Sequence, residues 1–287
     1  MRYWQELGLP GLVDSHVHFM PDSVMRKVWA YFDGKGPLTG REWPIVYKWS
    51  EQERLDHLRA MGVRAFPSLV YAHKPGMSEW LNGWAAEFAA ANPDVISTAT
   101  MFPEPGVERY VDEALRSGAR LFKVHVQVGR FDPRDPLLDD GWGMLADAGV
   151  PVVVHAGSGP TKGEYTGPGP IGAVLERHPT LAMISAHMGM PEHDDFLGFA
   201  ERYANVMLDV TMCFTDFAGF GASLAKALAP RLAALRDKVL LGTDFPNIPH
   251  SYAHQLEVLH RLELDEDWLR AVLWGNGARL FGVSGGG

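Results

Sequence analysis

The chain holds a single cysteine, Cys213, among 287 residues. No intramolecular disulfide can form, and a structural zinc site built on paired cysteines is excluded. Nor is there a run of roughly 20 apolar residues, the length a membrane helix needs. The first ten residues carry Arg2 and Glu6 and reach Pro10, where a secretory signal requires an unbroken apolar core. Basic clusters are missing too: 26 Lys and Arg stand against 35 Asp and Glu, a net charge of −9. Nucleic acids and anionic membranes attract proteins through concentrated positive charge, so neither is expected as a partner. The expectations that remain are a reducing, cytoplasmic location and a small-molecule substrate.

What is present suits a folded domain with a sizeable core, at 46% hydrophobic and 21% charged residues. Short β-branched runs alternate with longer segments of helical period, the pattern of repeated βα units around a parallel sheet. Eight strands are read, at 11–18, 62–71, 95–102, 120–127, 150–155, 181–187, 205–211 and 238–243. Between them, Ser50 and Glu53 are spaced as a capping box, and Gly62, Gly118 and Gly149 stop helical segments just before a strand. Eight strands in that rhythm predict a single (β/α)8 TIM barrel over residues 1–283, followed by a flexible tail at 284–287. Residues 19–49 exceed an ordinary βα loop and are rich in aromatics, which reads as an insertion after strand 1 serving as a lid or a partner surface. Residues 157–170 form a glycine- and proline-rich loop without the spacing of a phosphate cradle.

The first strand ends Asp14-Ser15-His16-Val17-His18, and side chains two apart on a strand share a face. Later strands end in His155, His187 and Asp244. In a barrel the C-terminal strand ends converge, so these groups are expected to meet. Imidazoles and a carboxylate suit a first-row divalent ion. The fourth strand adds Lys123, His125 and Gln127 on the inward face. Lys123 binds a substrate carboxylate, bridges two ions once carboxylated, or neutralises Asp14 or Asp209; His125 is a substrate contact or supports a ligand. His57, His178, His254 and His260 read as solvated helix faces, His73, His193 and His250 stay open as active-face residues, and Cys213 reads as a small apolar residue.

These motifs, with Pro151-Val152-Val153-Val154-His155, Ser185-Ala186-His187-Met188-Gly189, Leu241-Gly242-Thr243-Asp244-Phe245-Pro246 and the closing Gly275-Asn276-Gly277-Ala278-Arg279-Leu280-Phe281, resemble the amidohydrolase superfamily. The resemblance is to its amidohydrolase 2 type, the branch of metal-dependent TIM-barrel hydrolases that also contains aminocarboxymuconate semialdehyde decarboxylase. It implies one divalent ion, zinc by default with Mn, Fe or Co as alternatives, held by His16, His18, His155 and Asp244, with His187 beside it.

The activity implied is hydrolysis by a metal-activated water, with Asp244 as base and His187 polarising the substrate. The alternative is decarboxylation of an aromatic or unsaturated acid, whose carboxylate Arg26, Lys27, Arg41 or Lys123 would hold. A noncatalytic metal-binding scaffold is the third reading, and no catalytic group is missing to favour it. Homo-oligomerisation is the expectation for the class.

Overall fold

The computed structural model describes residues 3–34, 42–218 and 221–285. Two compact units make up the chain: residues 1–66 together with 209–287, and residues 67–208. The described residues contain strands β1 (Leu12–Val13), β2 (Val63–Pro67), β3 (Val95–Ile96), β4 (Thr98–Thr100), β5 (Leu121–His125), β6 (Val152–His155), β7 (Met183–Ser185), β8 (Val206–Asp209) and β9 (Val239–Leu240). Each expected strand is present, though shorter. The third is divided at Ser97, where the Thr98 hydroxyl donates to the Ile96 carbonyl at 3.0 Å, a local bond that competes with the ladder. The fourth stops at His125; Gln127, expected on its inward face, lies instead in the helical turn Val126–Gly129.

In the first unit β1 runs parallel to β2, with Leu12 opposite Val63. Beyond Val13 the chain changes partner. Ser15 N–H donates to Leu241 O at 2.8 Å and His18 N–H to Phe245 O at 2.7 Å, while Val17 bridges Phe245 in parallel. The first strand end is thereby laid alongside the segment that carries Asp244. The capping box forms as expected: Ser50 N–H donates to Glu53 Oε2 at 2.9 Å, and Glu53 N–H to Ser50 Oγ at 3.3 Å. The helix Glu51–Met61 ends at Gly62, whose φ of 91° is left-handed and favours glycine.

Part of the 19–49 segment is a helix, Asp22–Asp33. Two aromatics that follow it bond within the same unit. Trp43 Nε1 donates to Asn247 O at 2.7 Å, and the Tyr47 hydroxyl accepts from Tyr252 N at 2.7 Å. The Tyr47 ring packs 4.8 Å from that of Phe245 and is almost wholly buried. Arg41 and residues 286–287 of the expected tail lie outside the described residues.

In the second unit β4, β5, β6, β7 and β8 pair in that order, all parallel. The register sets His125 opposite His155, so both strands end at one level. Phe122, Val124, Val152, Val153 and Val154 are buried, as a parallel sheet covered on both faces requires. Helices Pro136–Ala148, Pro168–Arg177 and His193–Arg202 connect successive strands, and the first is capped by Asp135, which accepts from Leu137 N at 3.0 Å. Among the described residues no helix is long and apolar enough to cross a membrane.

Candidate metal centre

In the first unit His16, His18 and Asp244 stand together. His18 Nε2 is 3.0 Å and His16 Nε2 3.7 Å from Asp244 Oδ1, and the two rings lie edge to face with centroids 5.1 Å apart. The other nitrogen of His16 faces Asp209, with Nδ1 2.8 Å from Oδ2; both residues are buried. A carboxylate accepts only, so Nδ1 carries a proton, and the ring is turned with Nε2 toward Asp244. Ligands held at about 2.1 Å around one tetrahedral ion lie about 3.4 Å apart. The 3.0 and 3.7 Å separations bracket that edge, so the donor set fits a divalent ion.

Carboxylates underpin this group. Asp209 Oδ1 accepts from Thr211 N at 3.1 Å, and Asp14 accepts from His16 N at 3.1 Å, Thr243 Oγ1 at 2.7 Å and the Tyr252 hydroxyl at 2.9 Å. Burial pushes the Asp14 carboxyl up to about 7, against the pull of its bonds from Thr243, His16 and Tyr252 and with a smaller push from Asp209. Gly242 lets the strand ends close in: a Cβ there would stand 2.9 Å from His16 Cβ and 3.2 Å from Asp209 Cβ. Asp244 itself has φ of 68°, left-handed and unusual for a side-chain-bearing residue. Its N–H donates to His16 O at 2.9 Å, a bond that helps hold the strained backbone.

In the second unit His125, His155 and His187 form a succession of rings. His125 stacks on His155 with centroids 4.1 Å apart, and His155 meets His187 edge to face at 4.7 Å. His155 Nε2 is 3.0 Å from Gly159 O; the carbonyl accepts, so Nε2 carries the proton and Nδ1 does not. His187 is buried and left-handed at φ 54°, as is Met188 at φ 49°. Lys123 is fully buried on β5, two residues before His125.

Asp209 is a supporting residue whose role the sequence does not reveal. In sequence it offers only a counter-charge to Lys123, yet its place at the end of β8 matches the strand-end places of His155 and His187. Tyr252 carried no signal, because its bond to Asp14 spans 238 residues. His57 departs from the solvated face expected of it: it stacks on Phe245 at 5.8 Å and meets Tyr47 at 4.9 Å, and burial lowers its pKa. His178 and His254 are half-buried beside Asp139 and Asp216, at 2.9 and 3.6 Å. Burial holds the Cys213 thiol well above its ordinary pKa, which suits an inert apolar residue.

The fold resembles those of solved structures. An uncharacterized TIM-barrel protein from Bordetella bronchiseptica matches with a TM-score of 0.74 at 21% identity, over 94% of this chain and 98% of the other. A probable 2-pyrone-4,6-dicarboxylic acid hydrolase from Acinetobacter baumannii, with citric acid bound, matches at 0.61 and 14%, over 95% and 99%. A 5-carboxyvanillate decarboxylase from Novosphingobium aromaticivorans, complexed with manganese and 4-hydroxy-3-methoxy-5-nitrobenzoic acid, matches at 0.62 and 14%, over 97% of each chain. No curated protein matches the sequence. The sequence profile of the amidohydrolase family does match, over residues 13–283. The chain therefore belongs to the amidohydrolase family and has the TIM-barrel fold.

Proposed function

We propose that the chain is a metal-dependent hydrolase of a small, carboxylate-bearing substrate, with one divalent ion held by His16, His18, His155 and Asp244. The observation that carries this is the 2.8 Å contact between His16 Nδ1 and Asp209, which turns Nε2 toward Asp244 Oδ1, the same oxygen that His18 Nε2 approaches. Zinc suits three imidazoles and a carboxylate, and manganese is the second ion to try because the decarboxylase of the same fold is complexed with it. When bound, the ion supplies Lewis acidity and water that ionises near neutral pH.

Asp244 takes the proton of the attacking water at its carboxylate and returns it to the leaving group. His187 donates a hydrogen bond to the substrate oxygen on which negative charge develops. Lys123 and His125, on the same strand, are assigned to the substrate carboxylate, as is Arg41 from sequence alone. The partners in this reading are the small-molecule substrate and a second copy of the chain, to which exposed Trp80 contributes apolar surface. Light scattering that returns the mass of one chain would remove the oligomer.

Elemental analysis of wild type and of the His16→Ala/His18→Ala variant tests the metal. One ion per chain, lost in the variant, is expected; none after reconstitution overturns the reading. Decarboxylation is the second reading, favoured by the full-length likeness to the 5-carboxyvanillate decarboxylase. Carbon dioxide released from candidate acids would replace hydrolysis with it.

A further inference from the structure

The loops that follow β6 and β7 grip each other. A Cβ at Gly157 would stand 2.6 Å from the carbonyl carbon of Gly189, so this approach admits only glycine. Gly159 N–H donates to Met190 O at 2.9 Å. Glu192 contributes a carboxylate to the same contact: Oε2 accepts from Ser158 N at 3.0 Å, and Oε1 accepts from the Ser158 hydroxyl. Two bonds from one residue to one carboxylate fix the direction of the turn at 158–159, and Ser158 is nearly buried. The next carbonyl along, that of Gly159, is the one that takes the His155 Nε2 proton.

The far end of Glu192 is itself anchored. Its N–H donates to Gly189 O at 2.9 Å, and the neighbouring His193 Nδ1 donates to Met188 O at 3.2 Å. The left-handed pair His187–Met188 and the His155 tautomer are thus held by one short stretch of chain. A neutral imidazole has two tautomers of similar energy, and only the one protonated on Nε2 offers Nδ1 to an ion. A carbonyl that drifts by an ångström no longer selects between them.

We propose that Glu192 is the positioning residue for His155: its carboxylate holds Ser158, Ser158 sets the Gly159 carbonyl, and that carbonyl presents Nδ1 as the metal-binding nitrogen. This rests on the assignment of His155 as a ligand made above. The test therefore includes a readout that needs no metal.

In apoprotein labelled with 15N-histidine, with His155 assigned from a His155→Gln sample, the wild-type ring is expected to be protonated on Nε2. Glu192→Ala is expected to mix the two tautomers, and Glu192→Gln, which keeps one accepting oxygen, to restore most of the wild-type signal. Zinc affinity, measured by chelator competition, is expected to fall 10- to 100-fold in Glu192→Ala. Asp195→Asn, an exposed carboxylate lost from the same helix, is expected to change neither readout. If Glu192→Ala does not fold, Ser158→Ala removes one of the two bonds and is read in the same way. An unchanged His155 tautomer in a folded Glu192→Ala overturns the proposal whether or not wild type binds zinc. Wild-type zinc binding with no loss in Glu192→Ala also overturns it while leaving the metal reading intact.

Discussion

In residues 1–66 and 209–287 the imidazole of His16 is oriented by a buried carboxylate, whereas in residues 67–208 that of His155 is oriented by a main-chain carbonyl. The carboxylate belongs to Asp209, the last residue of β8, and moves only if the strand does. The carbonyl belongs to a loop, and the bonds of Glu192 and Met190 to the neighbouring residues brace it. A charged acceptor makes the stronger bond and raises the basicity of the ring it holds; a neutral one leaves orientation to the loop. The His16 ring is therefore anchored by a carboxylate at a strand end, and the His155 ring depends on how two loops close on each other.

The largest effect is expected where the carboxylate takes part in the chemistry. Asp244→Asn should lower kcat by about 1,000-fold or more on the first substrate that turns over, with metal content measured in parallel. Undiminished turnover would remove Asp244 as the base. Asp209→Asn comes next: zinc affinity should weaken by about 10- to 100-fold, and by more than in Glu192→Gln. Equal losses in the two variants would erase the distinction between charged and neutral anchoring.

A third effect is on stability. Asp14 has a folded pKa near 7 against an ordinary value of 3.8, so the folded apoprotein keeps a proton there that the unfolded chain releases. Its contribution is fully present below pH 3.8 and is lost as pH rises through 7, by a few kcal/mol at most, roughly 1.4 per unit of pKa. Urea denaturation of the apoprotein between pH 4.5 and 7.5 should show this slope in wild type and a flatter one in Asp14→Asn. The smallest change is Tyr47→Phe, which removes the acceptor of Tyr252 N and should cost about 1 kcal/mol in the same assay. No cost would mean that the Tyr47 hydroxyl contributes nothing to holding the 19–49 segment in place.

Much of this arrangement can be read from the chain. Period-two alternation puts His16 and His18 on one face, and they do meet Asp244 together. Strand-by-strand reading also brings His125 and His155 to one level, through their register. The capping box at Ser50 and Glu53 is a local device and forms as spaced. Gln127 was misplaced because alternation holds only while the strand lasts, and the chain turns helical after His125. His57 was misplaced because its helix has polar neighbours in sequence, while the aromatics that cover it come from residues 47, 49, 245 and 252.

The sequence by itself determined the parallel βα architecture, the residue types that end the strands and the absence of disulfide chemistry, because those follow from local periodicity and composition. Tertiary structure decided which nitrogen each imidazole offers. A tautomer depends on an acceptor placed within about 3 Å, and those acceptors, Asp209 for His16 and Gly159 for His155, are set by strand pairing and loop packing. It also decided the left-handed backbones of His187 and Asp244. Asp and His enter that region more readily than most side chains, but it still costs energy, so it persists where surrounding bonds hold the chain.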